Sequence, residues 1–325
     1  MSERQTRIVF LDAATYGDSP LTAITDTWDC TVHQVTNAAQ TGARLAGHTV
    51  AVTNKVVIDE SLLNSPDARE LRLIAVSATG TDIIDKEAAS QRGVQVCNVP
   101  GYASQSVAQF TMALILELAI RASSYAAAVK AGEWQKSPIF TLLTFPNIEL
   151  AGKKLGIIGF GNIGMTVAKM ARSFGMEILV GARPGDPAPP VERLPLAELL
   201  RQADFVSLHC PLTVESRNLI NHQSLALMKS TAFLINTARG ALIDEPALLQ
   251  ALRNKRIAGA ALDVITQEPP PADHPIVVAA KELNNLIVTP HTAWSSREAR
   301  QRLLAEVKAN IEAFLRDEPR NLVAQ

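Results

Sequence analysis

Three polar residues in the second half of the chain follow short apolar runs and carry complementary chemistry. Arg239 ends the segment Ile235-Asn236-Thr237-Ala238-Arg239-Gly240. Glu268 follows Ala261-Leu262-Asp263-Val264. His291 lies in Ile287-Val288-Thr289-Pro290-His291-Thr292-Ala293-Trp294. An imidazole exchanges protons near neutral pH, and a carboxylate beside it favours the protonated, donating form. A guanidinium holds a carboxylate or polarises a carbonyl through charge-assisted hydrogen bonds. In open α/β sheets, ligand sites gather beyond the carboxyl ends of the strands, so residues distant in sequence can converge there. Taken singly, each of the three is an ordinary loop or surface residue, and so are His33, His48, His209, His222 and His274. The ordered set of Arg, Glu and His outweighs that reading only together with a nucleotide-binding motif.

A glycine-rich turn adds a second chemical element. Leu155-Gly156-Ile157-Ile158-Gly159-Phe160-Gly161-Asn162-Ile163-Gly164 contains GxGxxG after an apolar strand pattern and before a helical one, Asn162 to Phe174. That is the context of a dinucleotide-binding turn: Gly159 for the tight turn, Gly161 for approach of a pyrophosphate, Gly164 for close helix packing. The helix N-terminus, with Phe160, Asn162 and Ile163 around it, offers N–H groups and partial positive charge to phosphates. The next strand, Glu177–Ala182, has Ala182 where an NAD-binding fold usually carries an acidic residue for the ribose 2′-hydroxyl, and Arg183 follows. Loss of the carboxylate removes repulsion against a 2′-phosphate, and Arg183 can bind one. The expectation is NADP or NAD, with NADP favoured; the alternative is that Arg183 is an exposed loop residue and NAD is used.

The elements that must position these groups alternate in type. Apolar, β-branched runs occur at 7–12, 49–53, 71–78, 94–99, 154–160, 177–182, 205–210, 232–237, 257–264 and 285–289, separated by helix-compatible segments. Nearly continuous hydrophobes suit parallel strands buried on both faces, and the alternation reads as βαβ units. The first four runs precede Pro100-Gly101, a helix is expected from about Ser104 to Ala131, and a second αβ series starts at Lys153. A terminal charged helix is expected from Ser296 to about Arg316. The fold expected is α/β, with two domains. The 325 residues are 47% hydrophobic and 19% charged with a net charge of −1, which excludes a disordered chain and gives no overall drive toward nucleic acid or an anionic membrane. No apolar run reaches the roughly 18 residues of a membrane span, and no signal-peptide pattern opens the chain. Cys30, Cys97 and Cys210 are scattered, so neither a disulfide framework nor a metal site is expected and a cytoplasmic location is.

Taken together, the glycine turn, His209-Cys210-Pro211-Leu212-Thr213, Asn236-Thr237-Ala238-Arg239-Gly240, Leu262-Asp263-Val264 with Glu268-Pro269, and Pro290-His291 occur in the order found in the D-isomer-specific 2-hydroxyacid dehydrogenases. The chain resembles that family. Thr53-Asn54-Lys55, Ala78-Thr79-Gly80-Thr81, Cys97-Asn98-Val99-Pro100-Gly101-Tyr102, the segment 132–140 and His291-Thr292-Ala293-Trp294 extend the resemblance to its bacterial glycerate dehydrogenase / hydroxypyruvate reductase branch. Ala182 departs from the usual acidic residue, and Gln109 replaces a common Glu.

The resemblance implies two Rossmann-like domains, one flavodoxin-like and one dinucleotide-binding, with parallel sheets and an interdomain cleft. Residues 1–98 and 294–325 would form the substrate-binding domain. Residues 99–293 would form the dinucleotide-binding domain, with a dimerisation helix and arm at about 104–150. It implies His291 as general acid, Glu268 as its partner and Arg239 as the substrate anchor. Cys210, Pro211, Thr237, Ala238 and Asp263 would contact the cofactor. Lys55, Thr79, Gly80 and Trp294 would line the substrate site. The partners implied are a small 2-keto or 2-hydroxy acid and a second copy of the chain in a homodimer, with Trp134 near the partner's active site. Hydroxypyruvate or glyoxylate is the substrate this branch implies; a pyruvate-like acid, or a dinucleotide-sensing corepressor without turnover, are the alternatives. A formate-type reaction is disfavoured because relatives performing it carry Gln where Glu268 stands.

Overall fold

The computed structural model describes residues 6–182 and 192–324. Arg183, expected beside the cofactor's ribose, lies outside the described residues. The chain divides into two compact units: residues 1–103 with 295–325, and residues 104–294. The strands in chain order are β1 (Arg7–Phe10), β2 (Asp29–Val32), β3 (Val50–Thr53), β4 (Leu73–Val76), β5 (Gln95–Cys97), β6 (Lys154–Ile158), β7 (Glu177–Val180), β8 (Phe205–Leu208), β9 (Phe233–Asn236), β10 (Gly259–Leu262), β11 (Leu286–Val288) and β12 (Leu322–Ala324).

In the first unit the sheet order is β12-β5-β4-β3-β1-β2. All pairs are parallel except β12 with β5. Reading β2-β1-β3-β4-β5, this is the flavodoxin-like winding. The central strands β3 and β4 are buried throughout, as expected of strands covered on both faces. The edge strands β2 and β12 are not foreseen by hydrophobic patterning: β2 is DCTV and largely exposed, and β12 is only three residues, Leu-Val-Ala.

In the second unit all strands are parallel, in the order β11-β10-β9-β8-β6-β7. An isolated parallel bridge from Gly181 to Leu194 extends the sheet beyond β7. The winding reverses between β6 and β8, which is where open α/β sheets place ligands. Arg239 follows β9, Glu268 follows β10 and His291 follows β11, three adjacent parallel strands, so all three loops emerge at the carboxyl edge.

The helix expected from Ser104 to Ala131 is two helices, Ser104–Ile120 and Ala122–Lys130, bent by 59°. Arg121 between them is left-handed, with φ of 54°. The carbonyl of Ala119, which a continuous helix would offer to Ser123, instead accepts the N–H of Ile148 at 3.0 Å. The Glu117 carboxylate takes over the Ser123 N–H at 3.3 Å. The first helix packs Ala108, Met112 and Ile115 against Val167, Ala168 and Ala171 of the helix Asn162–Ser173. No single helix among the described residues is long and apolar enough to cross a membrane.

Candidate active site

The glycine turn links β6 to the helix Asn162–Ser173, and each of its glycines answers a different steric demand. Gly159 has φ of +97°, and a Cβ there would lie 2.3 Å from the backbone nitrogen of Cys210. A Cβ on Gly164 would lie 2.2 Å from the Gly159 carbonyl oxygen. Gly161 instead faces open space. The first two glycines let strand, turn and helix close on one another; the third leaves the helix N-terminus uncovered. Asn162 opens the helix on the exposed side, while Phe160 and Ile163 pack partly onto the core beneath.

A cavity of about 780 Å³ opens over this turn, lined among others by Gly159, Phe160, Gly161, Ala182, Cys210 and Pro211. Its size falls in the range of small-molecule pockets, and its walls are mainly apolar. Uncovered helix N–H groups beside mainly apolar walls fit a dinucleotide. Ala182 is exposed at the end of β7, its N–H held by the carbonyl of Leu194 at 2.7 Å. The cavity wall also holds His209. Its Nε2 lies 2.9 Å from the Ser207 hydroxyl, and its Nδ1 is shielded from solvent without a hydrogen-bond partner among the described residues. Burial pulls the His209 pKa down to about 4.

Glu268 and His291 meet. Nδ1 of His291 lies 2.6 Å from one Glu268 oxygen, and the other Glu268 oxygen accepts the Ile265 N–H at 2.9 Å. Their side chains are 25% and 30% exposed for His291 and Glu268 respectively, so the pair is sheltered yet open to a small molecule. With Nδ1 engaged, Nε2 is the ring nitrogen left to transfer a proton. His291 has φ of 51°, a left-handed conformation uncommon for a side chain with a Cβ. Asp263 holds it there. Its carbonyl accepts the His291 N–H at 2.8 Å, while its carboxylate accepts the Thr289 hydroxyl at 2.6 Å and the N–H groups of Thr292 and Ala293 at 3.0 and 2.9 Å. Burial raises the Asp263 pKa, and those three bonds oppose the rise. The carboxylate expected to contact cofactor is thus committed largely to shaping the His291 turn.

Arg239 is half-buried after β9, with one guanidinium nitrogen donating to the Ala238 carbonyl at 2.8 Å. Asn236 braces this loop by donating to the Arg239 carbonyl and accepting from the Ala238 N–H. Thr237 lies 3.1 Å, hydroxyl to hydroxyl, from Thr111 of the long helix. Trp294 is half-buried, and the neighbouring Ala293 carbonyl accepts the Ser106 hydroxyl at 2.7 Å.

Lys55, Thr79 and Gly80 belong to the first unit. The Lys55 N–H donates to Asp12 at 2.6 Å, and the Asn54 N–H also donates to that carboxylate. The Thr79 hydroxyl donates to the Val99 carbonyl at 2.9 Å. Asp12, Thr111 and Ser106 escape sequence reasoning because each acts on a neighbour's backbone or hydroxyl. An acidic residue two positions after β1 is the one available signal, and it points to Asp12.

The family model for the D-isomer specific 2-hydroxyacid dehydrogenase NAD binding domain matches residues 112–293. A glycerate dehydrogenase of Methylorubrum extorquens is 43% identical over 86% of this chain and 87% of its own length. A hydroxypyruvate reductase of Blautia hydrogenotrophica is 35% identical over 91% of this chain and 92% of its own. Among solved structures, an acyclic imino acid reductase in complex with NADPH and D-Arg superimposes with a TM-score of 0.85 at 30% identity, covering 98% of this chain and all of the other.

Proposed function

The chain belongs to the D-isomer-specific 2-hydroxyacid dehydrogenases, nicotinamide-dependent enzymes that interconvert 2-keto acids and D-2-hydroxy acids, and on that premise we propose that it reduces hydroxypyruvate and glyoxylate to D-glycerate and glycolate. The observation carrying this reading is the 2.6 Å contact between His291 and Glu268. It suits a general acid loaded for a carbonyl oxygen.

When bound, the reduced nicotinamide supplies the hydride. The chain supplies the proton and the anchor. Nε2 of His291 donates its proton to the oxygen of the former carbonyl, and Glu268 stabilises the ring while it is charged. Arg239 holds the substrate carboxylate or the keto oxygen by charge-assisted hydrogen bonds. In the reverse direction His291 accepts the proton. Lys55, Thr79, Gly80 and Trp294 are proposed as further substrate contacts. Gly159 to Gly164, Cys210, Pro211, Thr237, Ala238 and Asp263 are proposed to hold the cofactor.

NADPH is the proposed preferred cofactor, because Ala182 offers no carboxylate to repel a 2′-phosphate. A homodimer is proposed on the apolar surface at 120–143, where Phe140 is 89% and Leu143 78% exposed. A cytoplasmic location suits three free thiols.

Initial rates with hydroxypyruvate, glyoxylate and pyruvate, each with NADH and NADPH, test the reading. Hydroxypyruvate or glyoxylate should have the highest kcat/KM. Dominance of pyruvate overturns the substrate assignment, and dinucleotide binding without turnover of any 2-keto acid overturns the catalytic one.

A further inference from the structure

Glu245 is the first residue of the helix Glu245–Arg253, yet the helix does not need it as a cap. Asp244 already fills that role, its side chain accepting the Ala247 N–H. Glu245 is nonetheless only 9% exposed. A carboxylate in such a place is costly unless its oxygens find partners. One accepts the Thr266 N–H at 2.7 Å. The other faces Nε2 of His274 at 3.6 Å. His274 is itself buried, and its Nδ1 has no hydrogen-bond partner among the described residues, so its ring meets Glu245 through Nε2.

The loop that Glu245 grips is the one that presents Glu268. Ile265 donates its N–H to Glu268 itself, and Thr266 donates to Glu245. From the other side, the loop lies against Gly240, where a Cβ would fall 2.0 Å from the Ile265 carbonyl carbon and 2.5 Å from the Thr266 nitrogen. The peptide 265–266 is therefore clamped between Gly240, next to Arg239, and the Glu245–His274 pair.

We propose that Glu245, backed by His274, is a positioning residue for proton transfer: it holds the 265–268 loop so that Glu268 reaches Nδ1 of His291. The inference rests on the assignment of Glu268 and His291 as the proton-transfer pair. Glu245 touches neither substrate nor cofactor in this role and acts through Glu268 alone.

Four variants of the full chain test it: Glu245→Met, Glu245→Gln, Glu268→Gln and the double variant Glu245→Met/Glu268→Gln. For each, kcat, KM, cofactor affinity by fluorescence and the pH profile of kcat are measured with hydroxypyruvate. Glu245→Met, similar in size but without an acceptor, should lower kcat about 10- to 100-fold, the scale of a small misplacement of catalytic groups. Its pH profile should move toward that of Glu268→Gln, with cofactor affinity unchanged. Glu245→Gln keeps an acceptor for Thr266 and should retain kcat within about 3-fold of wild type. Because Glu245 acts through Glu268, the double variant should be no slower than Glu268→Gln alone.

Wild-type kcat and pH profile in Glu245→Met, or losses that multiply in the double variant, overturn the proposal. Should Glu245→Met fail to fold, Glu245→Asp draws the carboxylate back by one methylene and reads the same contact: a fall in kcat at unchanged Tm supports the proposal, and wild-type kcat overturns it. If Glu268→Gln keeps wild-type kcat and pH profile, the catalytic pair itself is wrong and this inference falls with it. If Glu268→Gln is impaired while the folded Glu245 variants are not, the pair stands and only the role of Glu245 is lost.

Discussion

The carboxylate of Glu268 is held at both oxygens, by His291 Nδ1 at 2.6 Å and by the Ile265 N–H at 2.9 Å. The anchor fixes where the carboxylate sits, and the carboxylate fixes which face of the imidazole is free. A ring so held can rotate little, and its Nε2 is left as the exchanging nitrogen.

Replacing His291 by Asn removes the proposed proton donor but leaves the dinucleotide cavity intact. The expected result is a fall in kcat of about 10²- to 10⁴-fold, the usual worth of a positioned acid–base group. Cofactor affinity, read by fluorescence titration, should be unchanged. Turnover at the wild-type rate would remove His291 from the mechanism.

In the proposed reading, cofactor choice turns on Ala182. Ala182→Asp places a carboxylate that would accept a hydrogen bond from a ribose 2′-hydroxyl and repel a 2′-phosphate. The ratio of kcat/KM for NADPH over NADH should fall by about 10-fold or more. A wild-type enzyme already tenfold better with NADH would show that the preference was misread.

The glycines of the turn should separate folding from binding. Gly159→Ala meets the Cys210 backbone at 2.3 Å in a positive-φ conformation, so a loss of about 1–3 kcal/mol or more and a lower Tm are expected. Gly161→Ala meets nothing within 4 Å; its Tm should stay close to wild type while the Kd for the dinucleotide rises, because the added methyl stands at the mouth of the helix N-terminus. Equal losses of Tm in both variants would contradict the distinction.

His209 predicts a pH dependence of stability. Its pKa in the folded protein is about 4, below the roughly 6.5 of an exposed imidazole. Between those values the unfolded chain binds the proton and the folded chain does not. Stability is therefore full above about pH 6.5 and declines as pH falls toward 4, by on the order of 3 kcal/mol. His209→Gln, which keeps a partner for Ser207, should flatten that part of the curve in urea unfolding without cofactor. An unchanged slope would exclude His209 as its source.

The arm carries the test of assembly. Phe140→Asp introduces charge where 89% of the side chain is exposed. Light scattering at micromolar concentration should give a dimer for the wild type and a smaller species for the variant. A monomeric wild type would refute the dimer.

The glycine turn and the order of Arg239, Glu268 and His291 were legible in the sequence because each follows a buried run, and parallel strands announce themselves as continuous hydrophobes. Patterning failed at β2, a largely exposed edge strand with no apolar run to read, and at β12, whose Leu-Val-Ala run is too short to announce a strand. It also failed at Arg121, where nothing local interrupts the helix; the break follows from Ile148, remote in sequence, taking the Ala119 carbonyl. The roles of Glu245 and Asp12 were hidden for a related reason. An acid beside a helix start or strand end looks like a cap or a surface charge until the N–H it accepts is known.

The second unit is an insertion, residues 104–294 within a first unit that is finished only by the helix Arg297–Leu315 and strand β12. During synthesis the inserted unit leaves the ribosome whole before its host can close. Until the last segment emerges, β5 presents an unpaired edge and the host sheet lacks a helix whose Leu303, Val307 and Ile311 are buried in the finished fold. The exposure to misassembly during synthesis thus falls on the unit that lacks Glu268 and His291.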